Sequence, residues 1–270
     1  MYYVKYIIFF CFIIHVFYFV DVFANNRKQF FRQDFAGILV ESNTGIVKYD
    51  HFASKTVYPA SLTKLLTIYI VFDKIKKQEL HWDTYFTASQ KAIEQVPSKI
   101  GLKLKEKVSV KDALLLLTVK SANDVAYMVA ENISGSVQEF ANLMNQYAEF
   151  IGMHDSHFIN PSGLHDDRQV TTVTDMAKLS IALKNNFPNY YFIFENNSCS
   201  FRNKKVKGHN AVLQNFKGAT GLKTGFTYRS GFNIATSAIK EGRECVLVIV
   251  GSETSGIRDQ RAMFLLNKYC

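Results

Sequence analysis

The chain has 270 residues, a formal net charge of +9, and apolar and charged fractions of 48% and 20%, which describe an ordinary globular protein with room for one large domain or two modest ones. Four cysteines, Cys11, Cys199, Cys245 and Cys270, exclude a disulfide framework, and a core built on this length does not need one. The basic residues, among them the cluster Lys74, Lys76, Lys77, the alternating Lys103, Lys105, Lys107 and the run Lys204, Lys205, Lys207, read as solvated faces or as attraction to an acidic polymer or membrane surface; no zinc-finger spacing, RNP-like aromatic motif or basic heptad points to nucleic acid.

The chain opens with MYYVKYIIFFCFIIHVFYFVDVFA, where Lys5 precedes an apolar run from Tyr6 to Val20 and small-residue spacing follows at Val22 and Ala24. About 15 apolar residues fall short of the roughly 20 that a spanning helix needs. Residues 1–24 therefore read as a secretory signal peptide, with cleavage after Ala24 favoured over a retained anchor, and the protein as exported to the periplasm or the outer face of the cytoplasmic membrane. Loss of the leader removes Cys11 and leaves three cysteines, enough for one bridge at most, without changing the net charge.

FAGILVESNTGIVKYD predicts two strands joined by a turn at Asn43, Thr44 and Gly45. YPASLTKLLTIYIVF, residues 58–72, predicts a helix with almost no polar face. SVKDALLLLTVKSANDVAYMVAENI predicts two helices that meet near Lys120 and Ser121, and SVQEFANLMNQYAEFIG a further amphipathic helix ended by Gly152. FINPSGLHDD reads as a loop, and TVTDMAKLSIALKN as a helix with Thr174 as its cap. TGLKTGFT, GFNIATSAIKEGRECVLVIVGS and GIRDQRAMFLLNKY then predict strand, strand, turn, strand and helix. Strands at both ends with helices between them predict an α+β fold: one antiparallel sheet covered by helices, with an inserted all-helical lobe.

Ser61 and Lys64 lie three apart, on one face of the apolar helix. Burial and the positive end of the helix dipole both disfavour an ammonium there, so Lys64 is a candidate base for the Ser61 hydroxyl; the plain alternative is a helix N-cap with a snorkelling lysine. Two further motifs decide between them. Ser121-Ala122-Asn123 falls at the interhelical turn, and Lys223-Thr224-Gly225 on a predicted strand.

Ser-x-x-Lys, Ser-x-Asn and Lys-Thr-Gly, in this order, resemble the motif set of penicillin-binding proteins and class A β-lactamases, with Ala122 in place of the middle Asp. ILVESNTGIVKYDHFASKTVYPASLTKLLT, VKSANDVA, FINPSGLHDD, TDMAKL and TGLKTGFTYRSGFN resemble the D-alanyl-D-alanine carboxypeptidase family, the low-molecular-mass penicillin-binding proteins, over most of the mature chain. The resemblance implies a β-lactamase/transpeptidase-like fold acting on the D-Ala-D-Ala end of peptidoglycan stem peptides, with β-lactams as covalent inhibitors, no cofactor and no metal. It implies Ser61 as the acylated nucleophile, Lys64 as the base, Ser121 as a proton relay to the leaving D-alanine, and Asn123 as a group orienting the substrate amide and Lys64. Lys223, assisted by Thr224, would bind the terminal carboxylate. Gly225 would let substrate lie against the strand, and the backbone N–H groups of Ser61 and Phe226 would form the oxyanion hole.

Many relatives of this kind continue into an all-β domain and an amphipathic anchor; residues 25–270 read instead as one catalytic domain, with peripheral membrane contact at most. A DD-endopeptidase cleaving cross-links shares every motif, and a non-catalytic penicillin-binding module is a further alternative. A class A β-lactamase would need a Glu-x-x-x-Asn loop between the second and third motifs, and none is found. His154, His157 and His165, beside Asp155, Asp166 and Asp167, read as loop residues rather than metal ligands.

Overall fold

Strand β1 (Ala36–Glu41) stays apolar along almost its whole length, and its surroundings in the computed structural model, which describes residues 35–270, give the reason. Successive side chains of a strand point to opposite faces. Ala36, Ile38 and Val40 enter one core, while Leu39, with Phe35 just before the strand, enters another. β9 (Arg243–Ser252) divides the same way: Val246, Val248 and Val250 join the first core, Cys245, Leu247 and Ile249 the second. A strand buried on both faces has no place for a polar alternation.

With β2 (Val47–His51), β7 (Ala219–Thr227) and β8 (Gly231–Lys240), these strands form a five-stranded sheet in the order β2-β1-β9-β8-β7, antiparallel at every pairing. β7 is an edge. The second core is closed by helix α8 (Ser255–Tyr269) through Ala262, Leu265 and Leu266. The first is closed by the residues inserted between β2 and β7, which carry α1 (Lys64–Lys76), α2 (Gln90–Ile93), α3 (Val110–Leu115), α4 (Asn123–Ser134), α5 (Val137–Ile151) and α6 (Val173–Asn186); α7 (Ala211–Asn215), also in the insertion, joins the second core through Val212. Every residue of α1 from Lys64 to Phe72 is buried, as expected for a helix without a polar face. The antiparallel sheet and its helical cover are those predicted; the inserted lobe, expected to be all-helical, also carries two short strand pairs.

Two details differ from the sequence reading, and a third was left open by it. α6 is capped by Thr172, whose hydroxyl accepts from Asp175 N at 3.1 Å, whereas Thr174 lies inside the first turn and donates to the Ala53 carbonyl at 3.0 Å. Both threonines suit a cap, and only Thr172 has the extended backbone that aims its oxygen at the third helical N–H. Two small antiparallel pairs, β3 (Tyr85–Thr87) with β4 (Lys107–Ser109) and β5 (Ser198–Phe201) with β6 (Lys204–Lys207), were not foreseen; runs of three or four residues are too short to display an alternation. Finally, Cys245 at the start of β9 is disulfide-bonded to Cys270 at the end of α8, leaving Cys199 unpaired among the described cysteines.

The expected leader, residues 1–24, lies outside the described residues. Among the described residues no helix is long and apolar enough to cross a membrane.

Candidate active site

Pro59 leads into a 3₁₀ turn, Ala60–Thr63, that continues directly into α1. Ser61 sits in that turn with its backbone N–H at the positive end of the helical stretch. Lys64, three residues on, brings its Nζ to 3.0 Å from Ser61 Oγ. The same amine lies 2.8 Å from Asn123 Oδ1 and 2.5 Å from the Ser162 carbonyl oxygen. Burial, and next the nearby Lys223, push the Lys64 amine well below the usual lysine range, with Asp124 pulling the other way.

These contacts describe a neutral amine well. A neutral lysine has two N–H donors and one lone pair, and the Asn123 and Ser162 oxygens are acceptors only. Once they take the two N–H groups, the lone pair is left for the Ser61 hydroxyl proton. The lysine is then oriented as a base toward the serine.

The second motif is positioned by a break in the helix. α3 widens into a π-helical turn over Leu116–Lys120, and Ser121 adopts a left-handed backbone, φ 60° and ψ 37°. α4 then starts at Asn123, so Ser121 and Asn123 stand at a helix entrance. The Asn123 amide is fixed at both ends, with Oδ1 accepting from Lys64 and Nδ2 donating to the Val96 carbonyl at 2.9 Å. Ser121 Oγ is buried without a partner among the described residues, a costly state for a hydroxyl unless it serves a ligand.

Asp124, which the sequence reading passed over, fastens the loop that forms this wall. Its buried carboxylate accepts from the backbone N–H groups of Ile100, Gly101, Leu102 and Val125 at 2.8 to 3.1 Å. An acid in the first turn of a helix ordinarily signals only favourable dipole interaction, so its loop-binding role carried no separate signal.

The third motif lies on the edge strand β7. A Cβ on Gly225 would stand 3.0 Å from Ser61 N and 3.3 Å from Leu62 N, so the bare residue lets the strand approach the nucleophile turn and keeps the Ser61 N–H uncovered. Gly225 therefore faces the serine turn, a contact absent from the sequence reading. Lys223 is buried beside it, donating from Nζ to the Thr224 carbonyl at 2.9 Å. Burial first, and the Arg258 guanidinium second, push its amine down to about 7.

A cleft of about 600 Å³ brings together Ser61, Ser121, Asn123, Thr224, Gly225 and Phe226. Lys64 and Lys223 lie beneath this lining. All eight residues selected from the sequence thus meet at one place. Arg258, paired with Asp259 at 2.8 Å, also lines the cleft and was not selected. Lys120 and His209 also line it, and after burial the charges that depress the His209 imidazole are Lys120, Lys223 and Arg258. Cationic groups therefore gather around His209, where an anionic substrate group is favoured.

The family model for D-alanyl-D-alanine carboxypeptidase, peptidase family S11, matches residues 32–254. The D-alanyl-D-alanine carboxypeptidase DacA of Haemophilus influenzae is 31% identical over 234 residues, which are 85% of this chain and 60% of the relative. The crystal structure of the D-alanyl-D-alanine carboxypeptidase DacD from Francisella tularensis superposes with a TM-score of 0.82 at 30% identity, covering 86% of this chain and 69% of that one. Penicillin-binding protein D2 from Listeria monocytogenes, in its ampicillin-bound form, gives a TM-score of 0.78 at 26% identity, covering 86% of this chain and 95% of that one. The chain spans about 60% of the length of the first curated relatives it matches.

Proposed function

The chain belongs to the D-alanyl-D-alanine carboxypeptidase family, and from that premise we propose that it is a serine-type carboxypeptidase that removes the terminal D-alanine from peptidoglycan stem pentapeptides through an acyl-enzyme on Ser61. The observation that carries this reading is the Lys64 amine, buried and hydrogen-bonded to both Ser61 Oγ and Asn123 Oδ1 beneath an open cleft.

Neutral Lys64 takes the Ser61 proton as Oγ attacks the penultimate D-alanine carbonyl. The developing oxyanion is met by the backbone N–H groups of Ser61 and Phe226. The terminal carboxylate lies toward Thr224, Lys223 and Arg258. Ser121, whose hydroxyl has no partner among the described residues, relays the proton to the leaving amine, and water then hydrolyses the ester with Lys64 again as base. The free edge of β7 suits a peptide added as a further strand. A β-lactam enters the same step and is retained as an adduct.

Residues 25–270 act in this reading as one catalytic domain behind a signal peptide over residues 1–24. Export to the periplasm is supported by the Cys245–Cys270 disulfide, which belongs to an oxidising compartment. The basic excess supports peripheral contact with an anionic surface.

The test is intact-mass measurement after incubation with benzylpenicillin. A stoichiometric adduct on the wild type, absent from Ser61→Ala, is expected; a folded wild-type protein that stays unlabelled rejects the enzyme reading. Free D-alanine from a pentapeptide identifies a carboxypeptidase, whereas monomers released only from cross-linked dimers identify an endopeptidase.

A further inference from the structure

Lys64 has one partner that belongs to none of the three motifs: the backbone carbonyl of Ser162, 98 residues away in sequence. Its part in the site follows from the shape of a neutral amine. With both N–H groups taken by Asn123 Oδ1 and Ser162 O, the lone pair has one direction left, toward Ser61 Oγ. With only one acceptor, the amine can rotate and present an N–H to the serine instead, which is the wrong polarity for a base. The Ser162 carbonyl must therefore be held still.

A buried bracket holds it. Asn160 Oδ1 accepts from Ser162 N at 3.2 Å, Ser162 Oγ at 3.1 Å and Gly163 N at 2.9 Å, and its Nδ2 donates to the Leu164 carbonyl at 2.8 Å. One side chain thus closes the whole turn. Gln169 Oε1 in turn accepts from the backbone N–H groups of Ile159 and Asn160, both at 2.9 Å. The Thr67 hydroxyl, on α1 one turn beyond Lys64, donates to the Pro161 carbonyl at 2.8 Å and ties the turn to the helix that carries the base. Gly163, with φ +83°, packs so closely that a Cβ would stand 1.8 Å from the Ala60 oxygen. Asn160, Ser162, Gln169 and Thr67 are all buried, and none of them lines the cleft.

We propose that Asn160, braced by Gln169 and by Thr67, is a positioning residue for the base: it fixes the Ser162 carbonyl so that the lone pair of Lys64 points at Ser61. The inference rests on Ser61 and Lys64 acting as nucleophile and base. It assigns to FINPSGLHDD a part in orienting the base as well as in folding.

The experiment measures the second-order rate of acylation by benzylpenicillin against pH for the wild type, Asn160→Ala and Thr67→Val. Misorienting a base is expected to lower the maximum of the pH profile, by roughly 10- to 100-fold for Asn160→Ala and by roughly threefold or more for Thr67→Val, without moving the acid limb to higher pH. A turn that merely opened would admit water to Lys64, restore its ammonium and shift the acid limb upward. Such a shift of the acid limb overturns the proposal, as does a maximum within twofold of wild type for both variants. If Asn160→Ala does not fold, Asn160→Ser, whose shorter side chain cannot span the turn, takes its place with the same expected loss. A wild type that forms no adduct rejects the enzyme reading itself and is a separate result.

Discussion

Lys64 and Lys223 are both buried under the same cleft, and both are pushed below the usual lysine range by burial, yet they are held in different ways. Lys64 has three oxygens around its amine, from Ser61, Asn123 and Ser162, drawn from three separate segments. Among the described residues Lys223 has one acceptor, the carbonyl of its own neighbour Thr224, and a like charge, Arg258, as its main electrostatic influence. Two acceptors for its two N–H groups fix the direction of the lone pair, which a base requires. An amine with a single acceptor beside a guanidinium retains donors for an incoming anion, which a carboxylate receptor requires. Residue type and burial alone do not separate these two roles; the number and source of the acceptors do.

Removing each amine in turn breaks the comparison if the two are equivalent. Lys64→Met keeps the apolar volume of α1 and deletes the base. Acylation by benzylpenicillin should fall by roughly 10³- to 10⁴-fold, the upper part of the range for general-base catalysis. A loss under tenfold in stopped-flow or mass-resolved labelling would make Lys64 a packing residue.

Lys223→Met should act on recognition. A charge-assisted hydrogen bond is worth about 1.5 to 3 kcal/mol, so kcat/KM for a D-Ala-D-Ala peptide with a free carboxylate should fall by roughly 10- to 100-fold. The C-terminally amidated peptide should be nearly unaffected. Equal losses on the two peptides would mean that Lys223 shapes the strand and does not read the carboxylate.

How much of this was legible beforehand depends on the kind of atom involved. Ser61 with Lys64, Ser121 with Asn123, and Lys223 with Thr224 and Gly225 are short side-chain patterns whose spacing already implies a helix face, a turn and a strand, so the site could be read before any geometry. The sheet with its helical insertion was legible for a similar reason, since doubly buried strands such as VLVIV are near-continuous apolar runs. The Ser162 carbonyl was not, because a backbone oxygen has no residue signature, and the turn that aims it looks like any Asn-Pro-Gly loop. Arg258 was lost among the charges of a terminal helix. The pairing of Cys245 with Cys270, rather than either with Cys199, needed the register of β9 against α8, which spacing along the chain does not contain.

The smallest expected effect separates the two lysines by pH. In the proposed mechanism Lys64 works after losing its proton and Lys223 while keeping one, so they would define opposite limbs. For the free-acid peptide, kcat/KM should rise as Lys64 deprotonates and decline above about 7 as Lys223 becomes neutral; for the amidated peptide the decline should be absent. Stability has its own sign. Between about 7 and the ordinary lysine value of about 10.4, the unfolded chain binds a proton that folded Lys223 has released, so unfolding takes up a proton and the free energy of unfolding increases with pH across that window. Urea denaturation at pH 7.5 and 9.5 measures the increase. It should be smaller in Lys223→Met, where only Lys64 is left of the two to contribute in the same direction. Identical increases in the two proteins would mean that Lys223 keeps its proton when folded, and that the contrast with Lys64 lies in hydrogen bonding alone.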